Sequence, residues 1–291
     1  MRSRRNKRRW IQALGAAAVA AAVAGGACRT GLSERGLDRD SIAVALADDD
    51  DRRRISYLRS GDEEGRRVIF VHGTPGSAVG WARFLHSPLP GMEFVAIDRP
   101  GFGRSGGPPV TSYEAQARAV AALLETRDGK RPILVGHSLG GPIVARTAAD
   151  HPELVGAVLI LAGAVDPDLE GPRWYNHVAA APIVRSLLPA AYRTSNAEIF
   201  AAVEESQALD AVADRVVVPV MAIHGDRDGL VPVANLSYVE RRLSEAGGAL
   251  TLRLSGATHA LPWRHEDRVY EAIEDLARLL EQIEERAARL P

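Results

Sequence analysis

The segment Gly136-His137-Ser138-Leu139-Gly140 lies directly between a short apolar run, Ile133–Val135, and a stretch with helical patterning from Gly140. In that setting the glycines allow a turn so tight that Ser138 takes strained backbone angles. Its hydroxyl is then lifted above a sheet edge. The helix that follows offers free N–H groups and its positive end to the same point. This is the arrangement of a hydroxyl that attacks a carbonyl. A second turn, His72-Gly73-Thr74-Pro75-Gly76, follows the apolar run Val68–Val71. Acyl transfer places negative charge on the former carbonyl oxygen, and one preorganised donor is worth roughly 3–4 kcal/mol to it. The backbone N–H groups of Thr74 and Leu139 are the candidate pair. His72 reads as a brace that holds its loop by hydrogen bonding.

These turns need a scaffold. Ile42, Val44 and Leu46 alternate with smaller residues, and a turn at Asp48–Asp51 leads into Arg53–Arg59, which suits an antiparallel hairpin. Six further runs are continuously apolar: Val68–Val71, Phe94–Ile97, Ile133–Val135, Val155–Leu161, Val216–Ile223 and Ala249–Leu254. Such runs suit strands buried on both faces of a parallel sheet. Helical patterns at Tyr113–Thr126, Gly140–Asp150 and Arg264–Leu290 alternate with them, giving an α/β fold. Residues 166–214 break the alternation. They hold four prolines and are too long for a simple connection, so they read as a helical cap. The implied organisation is an export segment over 1–28, a tether over 29–40, a core over 41–165 and 215–291, and the cap over 166–214.

At this point the chain resembles the α/β-hydrolase superfamily, in particular its capped esterase and lipase-like branch. HGTPGS at 72–77, DRPGFGRS at 98–105, GHSLGG at 136–141 and two later motifs match in family order. The resemblance covers about residues 50–285. It implies a mostly parallel twisted sheet flanked by helices, with the cap inserted after the sixth strand. It also implies that Asp98 and its glycines shape a structural loop. In His224–Pro232 the family's spacing selects Asp228 as the acid, with Asp226 as a local rival and Asp166 as another. Ser255–His259 follows the last strand and selects His259 as base; His137, His151 and His265 are less well placed. Ser138, Asp228, His259 is the chain order expected of the fold. A serine here argues against epoxide opening and dehalogenation, for which family members use Asp. No metal or organic cofactor is implied.

Net charge is −1 over 291 residues, which points to no nucleic-acid partner. Six basic residues crowd the first nine positions, and an Ala/Val-rich stretch leads to Cys28, the only cysteine. A charged start, an apolar core and small residues suit an export signal. Ala24–Cys28 is similar to a lipobox, departing from it at Gly25, so Cys28 is a candidate for lipidation and the protein for the cell envelope. A plain signal peptide or an uncleaved anchor remain open.

The expected activity is hydrolysis of a carboxylic ester with a small or medium acyl group. Thioester, amide, lactone or carbon–carbon hydrolysis, or perhydrolysis, would use the same residues, and a non-enzymatic binding protein is a further reading. Trp81, Trp174, Tyr175 and Phe200 could line an apolar substrate pocket, or could merely hold the cap to the core. Oligomeric state is not legible.

Overall fold

A computed structural model describes residues 33–47, 52–243 and 248–289. Residues 1–28, on which the expected export signal and the lipidation candidate Cys28 fall, lie outside the described residues. Among the described residues no helix is long and apolar enough to cross a membrane.

Eight strands form one sheet: β1 (Asp38–Ala45), β2 (Arg52–Gly61), β3 (Arg66–Val71), β4 (Met92–Ile97), β5 (Ile133–His137), β6 (Ala157–Leu161), β7 (Val220–Gly225) and β8 (Ala249–Leu254). Their spatial order is β1-β2-β4-β3-β5-β6-β7-β8. β1 pairs antiparallel with β2, and β2 with β4; all other neighbours are parallel. The longer helices are α1 (Tyr113–Ala121), α2 (Gly140–Asp150), α3 (Trp174–Ala180), α4 (Pro182–Leu187), α5 (Ala190–Asp210), α6 (Asn235–Arg242) and α7 (Glu266–Ala288).

The apolar runs of the central strands divide by the two-residue period of a strand. Ile69, Val71, Val95, Ile97, Leu134, Val158 and Ile160 face one core layer, with Ile143 and Val144 of α2. Val68, Phe70, Phe94, Ala96, Ile133, Val135 and Leu159 face the other, with Ile273 and Leu276 of α7. Both faces are covered, so the runs Val68–Val71, Phe94–Ile97, Ile133–Val135 and Ala157–Leu161 are apolar without a break. β8 departs from that reading. It is an edge strand, and Leu250 and Leu252 are exposed because no further strand or helix covers them.

The last three residues of the expected tether over 29–40 belong instead to the sheet. β1 begins at Asp38, so a polar sequence enters the sheet as its outer strand. Arg39 holds it there, bonding Glu34 Oε2 at 2.9 Å, Ser56 Oγ at 2.7 Å and Asp98 Oδ2 at 2.7 Å. The strand's first residues need only such polar partners, which is why the apolar alternation starts at Ile42 and not at Asp38. The closing helix breaks once, at His265, between a short turn Leu261–Arg264 and α7.

Successive strands switch direction of growth at β3: β4 lies on one side of it and β5 on the other. In open α/β sheets such a switch opens a crevice at the carboxyl ends of the strands. The loops after β3 and β5 both leave from that edge.

Candidate functional site

Ser138 sits between β5 and α2 with φ +54°, a left-handed conformation rare for a residue with a side chain. The turn is fixed by close approach. A Cβ at Gly136 would lie 2.4 Å from Gly140 O, and one at Gly140 would lie 2.3 Å from Val71 O. Ser138 N donates to Leu161 O at 3.0 Å, and Ser138 O accepts from Gly141 N at 2.9 Å. The backbone strain is thereby held by neighbours on both sides. The Ser138 hydroxyl makes no hydrogen bond among the described residues, and Leu139 caps α2 without a side-chain bond.

The β3 loop lies against this turn: a Cβ at Gly73 would meet Ser138 Cβ at 2.7 Å. Among the described residues, the backbone N–H groups of Thr74 and Leu139 have no acceptor, and Thr74 Oγ1 is buried without a partner. Two unsatisfied N–H groups beside one hydroxyl can receive an anionic oxygen.

His259 and Asp228 meet on the other side. His259 Nδ1 lies 2.7 Å from Asp228 Oδ2. A carboxylate accepts, so Nδ1 carries the proton and Nε2 is left as the basic nitrogen. Asp228 is wholly buried as a side chain. Burial alone would raise its pKa. Hydrogen bonds from His224 and His259, the charge of His259 and the Val231 N–H overcome this and hold it well below the usual carboxylate range. Asp226 is elsewhere engaged: its Oδ1 takes the Gly256 N–H at 2.7 Å. Asp166 Oδ1 caps its own turn by accepting from Asp168 N at 3.0 Å.

Two histidines support this pair. His137 Nε2 lies 3.0 Å from the His259 carbonyl and its ring packs 4.7 Å from that of His259. Burial first, then the neighbouring His259, push its pKa down to about 3, so it stays neutral and donates Nε2–H. His224 Nε2 lies 3.1 Å from Val231 O and 3.3 Å from Asp228 Oδ2. Both neighbours accept, so this nitrogen also donates. Sequence reasoning gave His224 no role. Its place at the end of β7, four residues before Asp228, is the signal that could have found it.

The HGTP loop has its own brace. His72 Nδ1 bonds Gly73 O at 2.7 Å, and its Nε2 accepts from Arg99 N at 3.1 Å. Asp98 receives Ala78 N at 2.8 Å and Arg104 N at 3.1 Å, a structural role. Arg99, invisible to the sequence reading as a functional residue, is fully buried. Its guanidinium donates to His72 O at 2.8 Å, to Gly73 O at 2.9 Å, to Gln116 Oε1 and to Glu198 Oε1 at 2.5 Å. Glu198 belongs to α5, so one ion pair ties the cap to the loop that carries Thr74. Removing one partner of such a buried pair costs about 3–5 kcal/mol.

The aromatic candidates fall apart. Trp81 has no exposed surface and packs on Phe70, Phe84 and Trp263, so it is a core residue and no wall of a pocket. Trp174 and Phe200 are half-exposed on the cap, and Tyr175 packs edge-on to Trp174.

Residues 66–182 match the family described as alpha/beta hydrolase fold. Lipase LipV of Mycobacterium tuberculosis is 33% identical over 114 residues, 39% of this chain and 43% of that protein. A non-heme haloperoxidase of Rhodococcus erythropolis is 41% identical over 108 residues, 35% of this chain and 38% of that one. The chain thus spans about two fifths of the length of these curated relatives. A solved membrane phospholipase A, described as a bacterial virulence factor, superposes with a TM-score of 0.62 at 23% identity, over 96% of this chain and 99% of that one. Strand order, the matched segment and the solved neighbour agree that this chain has the α/β-hydrolase fold.

Proposed function

We propose that the protein is a serine hydrolase that cleaves a carboxylic ester through an acyl-enzyme. The observation that carries this reading is the 2.7 Å His259–Asp228 contact, with the His259 ring packed on His137, the residue before a serine held at positive φ on a strand-to-helix turn. Ser138 Oγ attacks the acyl carbonyl carbon while His259 Nε2 takes the hydroxyl proton. The carbonyl oxygen becomes an oxyanion and accepts from Thr74 N–H and Leu139 N–H. The carbon–oxygen bond to the alcohol then breaks, and the alcohol leaves with the proton held by His259. Water repeats the sequence and frees the acid and Ser138. Asp228, ionised throughout, fixes the tautomer of His259 and stabilises its cation.

Similarity to a lipase and structural likeness to a phospholipase support an ester substrate. Similarity to a haloperoxidase supports a second reading, in which peroxide replaces water and the product is a peracid. A panel of p-nitrophenyl esters of rising acyl length, with thioester and amide analogues, tests the assignment. The expected outcome is ester turnover that falls at least a thousandfold in Ser138→Ala. Equal turnover by Ser138→Ala would overturn it.

A further inference from the structure

The cap presents an apolar surface that no other described residue covers. α4 has no buried residue. Ile183 and Leu187, one helical turn apart, are 78% and 80% exposed. On the adjoining α3, Trp174 and Val178 have the same spacing and are each 50% exposed. Side chains of this size normally lie inside, and a contiguous group of them outside marks an interaction site.

The charges around them choose the partner. Residues 171–197 contain Arg173, Arg185, Arg193 and His177 and no Asp or Glu, although the chain holds 37 acidic residues. Arg185 and Arg193 line one shallow groove of about 390 Å³ with Ala180, Pro182 and Ser186. Arg193 donates to Leu188 O at 2.7 Å, and neither arginine has a carboxylate partner among the described residues. Many other guanidinium groups do have carboxylate partners, as in Arg66–Glu284, Arg67–Glu93 and Arg146–Asp150. Two unpaired arginines beside an exposed apolar turn match phosphate headgroups above acyl chains. A second copy would fit less well, because its own 171–197 patch offers these arginines no carboxylate.

We propose that α3 and α4 dock the protein on an anionic phospholipid surface. Ile183, Leu187 and Val178 enter the interface and Arg185 and Arg193 hold phosphates. The docked face adjoins the site. Arg173, at the start of α3, donates to Gly229 O at 3.3 Å and Leu230 O at 2.8 Å, in the loop that carries Asp228. On the ester-hydrolase reading, which docking itself does not require, this would bring lipid-borne esters to Ser138.

The test places an environment-sensitive NBD probe on Leu187→Cys in the full chain, with Cys28→Ser and Ser138→Ala. α4 buries nothing, so Leu187→Cys leaves packing intact, and a thermal melt checks the three changes together. Titration with phosphatidylcholine vesicles containing phosphatidylglycerol should shift the probe's emission to the blue and raise it several-fold. Pure phosphatidylcholine should do little. Arg185→Glu with Arg193→Glu should weaken the response by roughly thirtyfold or more, because each arginine near an anionic surface contributes about a factor of five. No response on anionic vesicles would overturn the proposal. So would an equal response on both vesicles that ignores the arginine variants. A response that grows with protein concentration without lipid, together with sedimentation as a dimer, would assign the face to a second copy instead. Since the probe protein lacks the Ser138 hydroxyl, this outcome is independent of the esterase panel.

Discussion

Asp228 accepts from four donors. Oδ1 takes Leu230 N at 2.8 Å and Val231 N at 2.9 Å, while Oδ2 takes His259 Nδ1 at 2.7 Å and His224 Nε2 at 3.3 Å. Such a carboxylate is ionised at every working pH and cannot rotate, so it dictates the imidazole tautomer. Asp228→Asn would keep the shape and offer an amide N–H or a poorer acceptor instead. The expected result is a fall in kcat of roughly 10³–10⁴-fold with KM changed only a few-fold. Steady-state kinetics beside a circular dichroism spectrum checks it; a fall below tenfold would remove Asp228 from the mechanism. Asp228 was legible because a fixed spacing after Gly225 and before Val231-Pro232 carries it. Arg99 was not, because its role comes from contacts between segments far apart in sequence; His224 was passed over although its partners Asp228 and Val231 lie within seven residues of it. Arg99 meets Glu198 across 99 positions of sequence, a distance no local pattern spans.

At the scale of elements, the central strands announced themselves, since burial on both faces demands unbroken apolar runs. β8 was legible as a strand at Ala249–Leu254 and β1 from Ile42 onward, but β1's polar start at Asp38 and the exposure of β8 were not, because an edge strand satisfies half its needs with solvent and ion pairs. The cap was legible as an interruption, but its 21-residue helix α5 was not, since its buried face includes Thr194, Ser195, Glu198 and Ser206. Polar burial hides the usual helical stripe. Near the cap's entry Glu170 shows what such burial costs. Its Oε1 is buried without a partner, and burial, opposed by Arg173, pushes its pKa up to about 7. The folded state therefore binds a proton that the unfolded state has released above 4.5. Stability falls as pH rises from 4.5 to 7, and the loss is complete above that window. Glu170→Gln is expected to raise the Tm at pH 8, gaining about 2–3 kcal/mol, and to change little at pH 4. Thermal melts at the two pH values decide it. A gain that is the same at both would mean that a packing change, and not ionisation, is responsible.

For the whole molecule, the strand order brings four loops to one edge of the sheet. The loop after β3 offers Thr74 N–H, the turn after β5 offers Ser138 and Leu139 N–H, and the loops after β7 and β8 bring Asp228 and His259 together. The cap is joined to this edge twice, through Arg99–Glu198 and through Arg173 with the Asp228 loop. The central claim is that this edge activates one hydroxyl. Intact-protein mass spectrometry after treatment with a fluorophosphonate, followed by peptide mapping, addresses it most directly. The account predicts one adduct per chain, on Ser138, formed far more slowly in His259→Ala and absent in Ser138→Ala. Stoichiometric labelling of another residue, or an unreactive Ser138 in folded protein, would contradict it.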